Sequence, residues 1–495
     1  MTQTSPASPI LLSREAVHGT FWSYLSFASG KLLNFITTMI LARLLVPEQF
    51  GLIGYCTIAI QYLDIMNTAG IDNALIARKD KVEEAANAAF IFNIIMGIIS
   101  FGAAWLIAPL IANYFQAEKV TDLFRLLAIV LPVGGLGLVP STMIQRSLRF
   151  RARLILDVTR NISKGLTSII LAVLGWGPWS LVWGQIVGET IAVALSWVLV
   201  DWRPAWKFDW QVTKELMGYG VPIIIEGLSG ALHENVDYLI IGKTLGAVAL
   251  GLYTMAYRIP ELSIRSLNGV VASVLFPILS RTQSDDDALR AFYFGYIRYI
   301  SIFTFSIGTG LALTSGLFVN NFMSAKWEGM IIPMSLISIA LAIASVGYAP
   351  GVLYKAINRP EILMRVTLVK LPFIIAFLIF CSHWGINGMA MGQIIIAVFS
   401  VSLDSYVVSR IINFKVIELA KALAPAVISS AIMAVILGGI EIISAPAGWI
   451  GFGFVVVAGV IVFAIALFLT SRDTAVQIIS MLRKEVINKW LPHRA

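Results

Sequence analysis

The sequence has little charge for its length. Asp, Glu, Lys and Arg make up 13% of its 495 residues, whereas ordinary soluble chains carry about 25% charged residues. Hydrophobic residues, counted with Tyr and Cys, make up 58%. A soluble globule of this size could not cover its surface with so few charges, so the composition predicts an integral membrane protein and excludes a cytosolic or secreted enzyme.

Cysteine, histidine and nucleotide-binding motifs are also scarce. Cys56 and Cys381 both lie in apolar segments, so no disulfide framework can be read. The four histidines are scattered, and no His or Cys cluster has the spacing of a metal site. The sequence contains no Gly-rich loop with Lys and Ser or Thr, the motif that binds nucleotide phosphates. We therefore expect a protein that is not an enzyme, with no metal and no other cofactor.

Long apolar stretches are what the sequence does contain. A bilayer core of about 30 Å needs about 20 mostly apolar residues of helix, and fourteen such segments separated by polar turns are predicted. Their bounds are 17–44, 50–72, 86–113, 120–146, 154–174, 175–200, 216–243, 248–280, 288–316, 328–354, 361–383, 386–409, 420–441 and 448–470. The break between the fifth and sixth segments rests on the run Gly175-Trp176-Gly177-Pro178.

The distribution of Lys and Arg among the connections predicts the orientation. If both termini are cytoplasmic, the connections on the opposite side hold only a few cations, Arg43, Lys119, Arg125, Lys243 and Lys326. Cationic loops stay on the cytoplasmic face, so this asymmetry favours cytoplasmic termini. It also accounts for the excess of 36 Lys and Arg over 28 Asp and Glu without nucleic acid as a partner.

A weak internal repeat joins segments one to six to segments seven to twelve. A shift of 200 residues lays Gly51 on Gly251, and a shift of 210 lays Arg160 on Lys370. Six helices per copy make the two copies parallel, as in transporters that work by alternating access. The predicted parts are a cytoplasmic tail (1–16), an N-lobe (17–200), an interfacial linker (201–215), a C-lobe (216–410), a linker with two further helices (411–470) and an amphipathic tail on membrane lipids (471–495).

Charged residues inside the segments are the candidate site. A charge facing lipid costs about 2.5–3.5 kcal/mol on insertion scales, so these side chains must face one another or water. Arg forks match phosphate oxygens, which predicts an anionic cargo such as a diphosphate. The predicted cargo-binding residues are Lys31, Arg160, Arg258, Arg265, Arg298 and Lys370. Internal salt bridges, such as one between Arg258 and Glu261, are the alternative.

The acids at membrane depth predict coupling to a proton or sodium gradient, since protonatable groups in membranes often form relays. The candidates for ion coupling are Asp64, Glu226, His233, Glu234, Asp237 and Asp404. For His233, an ordinary hydrogen-bonding role is the alternative.

Two motifs resemble those of polysaccharide-transport flippases. The first runs from Gly19-Thr20 through Gly30-Lys31 to Leu41-Ala42-Arg43-Leu44-Leu45-Val46-Pro47-Glu48-Gln49-Phe50-Gly51-Leu52. The second is Val274-Leu275-Phe276-Pro277-Ile278-Leu279-Ser280-Arg281, followed by Asp285-Asp286-Asp287. Over residues 15–470 the chain is thus similar to the Wzx-type flippases of the multidrug/oligosaccharidyl-lipid/polysaccharide exporter superfamily.

The resemblance implies an all-α membrane protein of 14 transmembrane helices, as two six-helix lobes plus two C-terminal helices. It also implies movement of undecaprenyl-diphosphate-linked oligosaccharide from the cytoplasmic to the periplasmic leaflet of a bacterial inner membrane. The units would pass through a cationic central cavity and serve exopolysaccharide or lipopolysaccharide assembly. Polysaccharide polymerase and a chain-length regulator are the implied protein partners. Three alternatives stay open: a peptidoglycan-precursor flippase, a cation-coupled drug exporter and a membrane polysaccharide polymerase.

Overall fold

The described part of the chain is built from helices. A computed structural model describes residues 29–68, 70–206, 209–269, 279, 285–444, 448–477 and 480, and none of these residues is in a β-strand. The predicted tail at 1–16 and residues 478, 479 and 481–495 of the predicted amphipathic tail lie outside the described residues.

Two compact units divide between Gly251 and Leu252. The helices up to this boundary are α1 (29–44), α2 (Pro47–Thr68), α3 (Ile71–Ala77), α4 (Val82–Phe115), α5 (Val120–Leu127), α6 (Val130–Arg146), α7 (Phe150–Val173), α8 (Pro178–Leu199) and α9 (Trp210–Thr244). Helix α10 (Gly246–Pro260) runs across the boundary and continues as a π-helical turn, Glu261–Arg265. The two units are defined by backbone contacts within the structure, whereas the predicted lobes are defined by the sequence repeat. The lobe boundaries therefore stay a prediction.

The second unit continues with seven further α-helices. They are α11 (Asp286–Phe322), α12 (Ile331–Val346), α13 (Tyr348–Ala356), α14 (Pro360–Ser382), α15 (Gly385–Ile411), α16 (Val416–Ser444) and α17 (Gly448–Thr470), with a 3-10 turn at Ala325–Met330. Asp285 caps α11, since its side chain accepts a hydrogen bond from the backbone N–H of Ala288 at 3.0 Å.

Glycine and proline set several of the helix ends. The predicted break at 175–178 is confirmed: α7 ends at Val173, Gly175 and Gly177 take φ values of 83° and 55°, and Pro178 starts α8. Three other predicted segments differ in detail, because each contains an interruption. Segment 50–72 breaks at Gly70, with φ 64°, segment 120–146 breaks at Ala128–Ile129, and segment 328–354 breaks at Gly347.

Nine helical stretches of the described chain are long and apolar enough to cross a membrane. They correspond to nine of the predicted segments, and the chain is a multi-pass membrane protein. The predicted segments outside this set include α2, α7, α9 and α10, which carry most of the charged residues singled out in the sequence. These other segments are also helical, but they are too short or too charged to belong to the nine. Fourteen crossings therefore stay a prediction.

The core of the first unit is apolar where α3, α4, α6 and α9 meet. Ile71, Leu75, Phe90, Val139 and Leu216 form one buried cluster there. Small residues line the buried face of α4, where four alanines between 85 and 89 are fully buried. This close packing of small side chains is common between membrane helices.

The core of the second unit has two apolar clusters. One joins α11 to α13 and α15, and it includes Tyr293, Tyr354 and Val408. The other joins α11 to the last two helices through Ile302, Met433 and Phe463. The two C-terminal helices therefore pack on α11 within the second unit.

Two glycines in the first unit allow backbone to contact backbone. A Cβ atom on Gly51 of α2 would lie 1.8 Å from the carbonyl oxygen of Ala247, and one on Gly251 would lie 1.9 Å from the carbonyl oxygen of Pro47. The contact is reciprocal: Gly251 lies 200 positions after Gly51 and Ala247 lies 200 positions after Pro47, which is the shift of the predicted repeat. Only glycine fits either position without moving a helix.

Candidate functional site

A polar cavity lies inside the first unit. Its volume is about 160 Å³, and α2, α4, α6, α7 and α8 all contribute to its lining. The polar residues that line it are Asp64, Asn67, Thr68, Asn93, Ser141, Arg160, Glu189 and Ser196. The structure thus brings Asp64 and Arg160, predicted respectively for ion coupling and for cargo, to one site.

Arg160 is held by two acids on one side of this cavity. Its Nε lies 3.1 Å from Oε2 of Glu189, and its Nη2 donates to Oε1 of Glu189 at 3.3 Å. Its Nη1 also lies 3.7 Å from Oδ1 of Asp157, one turn earlier on α7. Asp157 in turn lies 3.6 Å from the guanidinium of Arg153. Arg160 therefore takes part in internal salt bridges, which was the alternative to cargo binding. Its side chain is 38% exposed, and that of Glu189 is 17% exposed.

Glycines on α6 give the cavity its shape. A Cβ on Gly135 would lie 2.7 Å from the carbonyl oxygen of Asn93, and one on Gly137 would lie 2.5 Å from the side chain of Val193. Helix α6 can therefore approach both α4 and α8 closely while the polar side chains face the space between them. The Pro132-Val133-Gly134-Gly135 run lies within this helix, and its glycines Gly134 and Gly135 both line the cavity.

Two cavity residues were missed by the sequence reasoning, Asn67 and Asn93. They are 3% and 1% exposed, and the Oδ1 atom of each has no hydrogen-bond partner. Buried polar atoms in proteins are nearly always hydrogen-bonded, so an orphaned acceptor calls for an explanation. The available signal was an amide at helical spacing, since Asn67 follows Asp64 by three residues on α2.

The second unit contains a more deeply buried ion pair. Lys370 of α14 places its Nζ 2.6 Å from Oδ2 of Asp404 on α15, and the two side chains are 12% and 7% exposed. The hydroxyl of Tyr354 donates to the backbone oxygen of Asp404 at 3.5 Å. We expected Lys370 to bind cargo and Asp404 to carry an ion. The structure pairs them with each other, because α14 and α15 bring together residues 34 positions apart in the chain.

The π-helical turn after α10 carries a third pair. Nη1 of Arg265 lies 2.9 Å from Oε1 of Glu261, and both side chains are exposed. We had considered Arg258 as the partner of Glu261, and the structure pairs Glu261 with Arg265. π-Helical turns inside α-helices often occur at functional sites.

The other predicted residues lie on several helices. Lys31 on α1 and Arg298 on α11 are exposed, and Arg258 on α10 is half-buried. On α9, Glu226, His233 and Glu234 are exposed, whereas Asp237 is buried and its Oδ1 accepts from the backbone N–H of Tyr238 at 2.9 Å. These positions leave both predicted roles untested. Within the described residues no three His, Cys, Asp or Glu side chains form a group that could hold a metal ion.

Sequence comparison decides the family. A family model described as polysaccharide biosynthesis protein matches residues 40–332, more than half of the chain. The chain belongs to this polysaccharide biosynthesis family. The predicted membership is confirmed. The chain is 24% identical to the lipopolysaccharide biosynthesis protein WzxC of Escherichia coli (strain K12), over 81% of this chain and 82% of that protein.

Other comparisons extend the likeness in sequence and in fold. The chain is 23% identical to the teichuronic acid biosynthesis protein TuaB of Bacillus subtilis (strain 168), over 66% of this chain and 68% of that protein. Among solved structures it is similar to the lipid II flippase MurJ in an inward closed conformation, with a TM-score of 0.74 and 14% identity, over 92% of this chain and 99% of that chain. This member of the polysaccharide biosynthesis family therefore has the same fold as that flippase.

Proposed function

We propose that this protein flips undecaprenyl-diphosphate-linked oligosaccharide from the cytoplasmic to the periplasmic leaflet of a bacterial inner membrane, and that it is not an enzyme. The flipped units feed exopolysaccharide or lipopolysaccharide assembly. The observation that carries the proposal is the shared fold with a lipid II flippase along 92% of the chain, in a member of a polysaccharide biosynthesis family. A lipid-linked sugar is the cargo class that agrees with both the flippase fold and the polysaccharide biosynthesis family.

The proposed motion is alternating access, with both termini in the cytoplasm. The reciprocal contact of Gly51 and Gly251 supports the repeat from which that motion was inferred, since equivalent residues meet across it. Polymerase and chain-length regulator are the proposed partners, because they act on units that have already been flipped.

The proposed cargo contacts are the predicted cations that stay accessible. Lys31, Arg265 and Arg298 are exposed, and an exposed guanidinium can exchange a carboxylate partner for a phosphate at little cost. Lys370 is buried against Asp404, and removing it would leave a buried, unpaired acid. A loss of export in a Lys370 variant would therefore not distinguish cargo binding from folding.

The test is complementation of a deletion strain. Lys31→Ala and Arg265→Gln should each reduce polysaccharide export at least tenfold at equal protein in the membrane, because a diphosphate loses a cationic partner. Lys119→Ala, which removes an exposed cation on the predicted outer side, is the matched control and should export normally. Normal export from both Lys31→Ala and Arg265→Gln would contradict the proposed cargo contacts.

The accumulated lipid-linked unit separates this function from the alternatives. A strain without the protein should hold single units on the inner leaflet, out of reach of enzymes added to intact spheroplasts. Unpolymerised units on the outer leaflet would instead indicate a polymerase. Lipid II trapped on the inner leaflet would indicate a peptidoglycan-precursor flippase, and normal export with altered drug resistance would indicate a drug exporter.

A further inference from the structure

The cavity of the first unit is a built polar site that the cargo proposal does not use. All of its lining residues lie between Asp64 and Ser196. Its polar groups converge from five different helices, so they are held by tertiary packing rather than by one local turn. A volume of about 160 Å³ is far too small for a lipid-linked sugar but large enough for an ion with several waters.

The charges at this cavity do not cancel. Arg160 is paired with Glu189, and Asp157 lies between Arg160 and Arg153. Asp64 lines the same cavity and makes no hydrogen bond or ion pair with another described residue. The three lining charges, Asp64, Glu189 and Arg160, therefore sum to one negative charge. A single positive charge would neutralise the site.

Two neutral acceptors point to the type of ligand. The amide nitrogen of Asn67 donates to the backbone oxygen of Leu131 at 3.4 Å, and that of Asn93 donates to the oxygen of Ala89 at 2.8 Å. These bonds fix the orientation of both amides and leave their Oδ1 atoms without a donor. Both residues line the cavity beside Asp64. A proton on Asp64 could serve only one acceptor, whereas a metal cation can bind several oxygens at once.

We propose that this cavity binds one monovalent metal cation, Na⁺ or K⁺, through the carboxylate of Asp64 and the amide oxygens of Asn67 and Asn93. Water completes the coordination shell. The Arg160–Glu189 pair closes one side of the site and prevents a second cation from entering. Only the link between this cation and cargo movement rests on the proposed function, because binding itself is a property of the first unit.

The experiment measures thermal unfolding of the purified full-length protein in detergent. NaCl and KCl are each compared with choline chloride at equal ionic strength and fixed pH. A ligand that binds only the native state raises the unfolding midpoint, so at least one metal salt should raise it by several degrees over choline. The rise should saturate with salt concentration.

Variants locate the site. Asp64→Asn should abolish the metal-specific rise, because it removes the one uncompensated charge while keeping the shape of the side chain. Asp64→Glu, which keeps the charge, should retain a weaker rise even if Asp64→Asn folds poorly. Asp122→Asn makes the same chemical change on an exposed residue of α5, and it should behave as the wild type.

Several results would overturn the site. Equal midpoints in all three salts would do so, as would an unchanged rise in Asp64→Asn, which would place the cation elsewhere. A midpoint that responds to pH but not to the metal salts would replace the metal ion with a proton. A protein without the metal effect that still restores export would remove this site and leave the flippase function intact. The metal effect in a protein that restores no export would keep the site and contradict the function.

Discussion

The Arg160–Glu189 pair and the Lys370–Asp404 pair join neighbouring helices in each unit, α7 to α8 and α14 to α15. The sequence repeat lays Arg160 on Lys370, yet the two environments differ. Lys370 and Asp404 are nearly enclosed and 2.6 Å apart, whereas Arg160 is half-buried beside a polar cavity.

Two cations at equivalent positions of the predicted repeat therefore have different surroundings. A buried pair holds two helices together, because either partner alone would be an uncompensated charge. A pair beside a polar cavity costs less free energy to separate, since water can solvate both charges. The comparison predicts a series of stability effects, from the most enclosed pair to the most exposed.

The largest effect is expected for the enclosed pair. Lys370→Met leaves Asp404 buried and unpaired, which should destabilise the protein by about 3–5 kcal/mol. The measurement is thermal unfolding in detergent. The double variant Lys370→Met with Asp404→Leu should recover most of this loss, since it removes both charges. A single variant as stable as the wild type would show that the pair does not hold α14 to α15.

The next effect concerns the wall of the cavity rather than its charges. Gly135→Ala places a methyl group against the backbone of α4, near Asn93, and overpacking of this kind costs about 1–3 kcal/mol. Gly134→Ala adds the same methyl group at a position where a Cβ meets nothing within 4 Å. It is the matched control, and equal unfolding midpoints for the two variants would contradict the close approach of α4 and α6.

A smaller effect is expected for the half-buried pair. Arg160→Met should destabilise the first unit by about 1 kcal/mol, because Glu189 is left beside water rather than in an apolar core. The comparison with Lys370→Met in the same unfolding assay tests the contrast directly. A loss equal to that of Lys370→Met would mean that both pairs are equally enclosed.

The smallest effect on stability is expected for the exposed pair on the π-helical turn. Arg265→Gln should change the free energy of unfolding by less than about 1 kcal/mol, as is usual for exposed ion pairs. Glu261→Gln removes the other partner and should be equally mild. A stability loss above about 2 kcal/mol for Arg265→Gln would assign this arginine to folding rather than to cargo.

Apolar length and helix-breaking residues made much of the helical framework predictable. Gly175 marked the end of one helix because glycine readily takes the positive φ that stops a helix. Pro178 marked the start of the next because its fixed φ suits the first turn of a helix. The break at Ala128–Ile129 had no such marker. It depends on how α5 and α6 pack, which a linear pattern does not contain.

The site was predictable only in its residue types. Charge at membrane depth identified Asp64, Arg160, Lys370 and Asp404, because unpaired charge there is costly. Which acid meets which base depends on tertiary contacts, as between Lys370 and Asp404. Asn93 was missed for a related reason. An uncharged amide in an apolar segment costs less free energy to bury than a charge does, and only the structure shows that its Oδ1 has no donor.

The lengths of α4 and α11 have a practical consequence. They contain 34 and 37 residues, which at 1.5 Å per residue correspond to about 50–55 Å, against a hydrocarbon core of about 30 Å. Tilt absorbs part of this excess, and the remainder extends into the aqueous phase. The first turn of α4, with Glu83 and Glu84 exposed, is accordingly a rigid epitope to which an antibody fragment could be directed as a fiducial for particle alignment in electron microscopy.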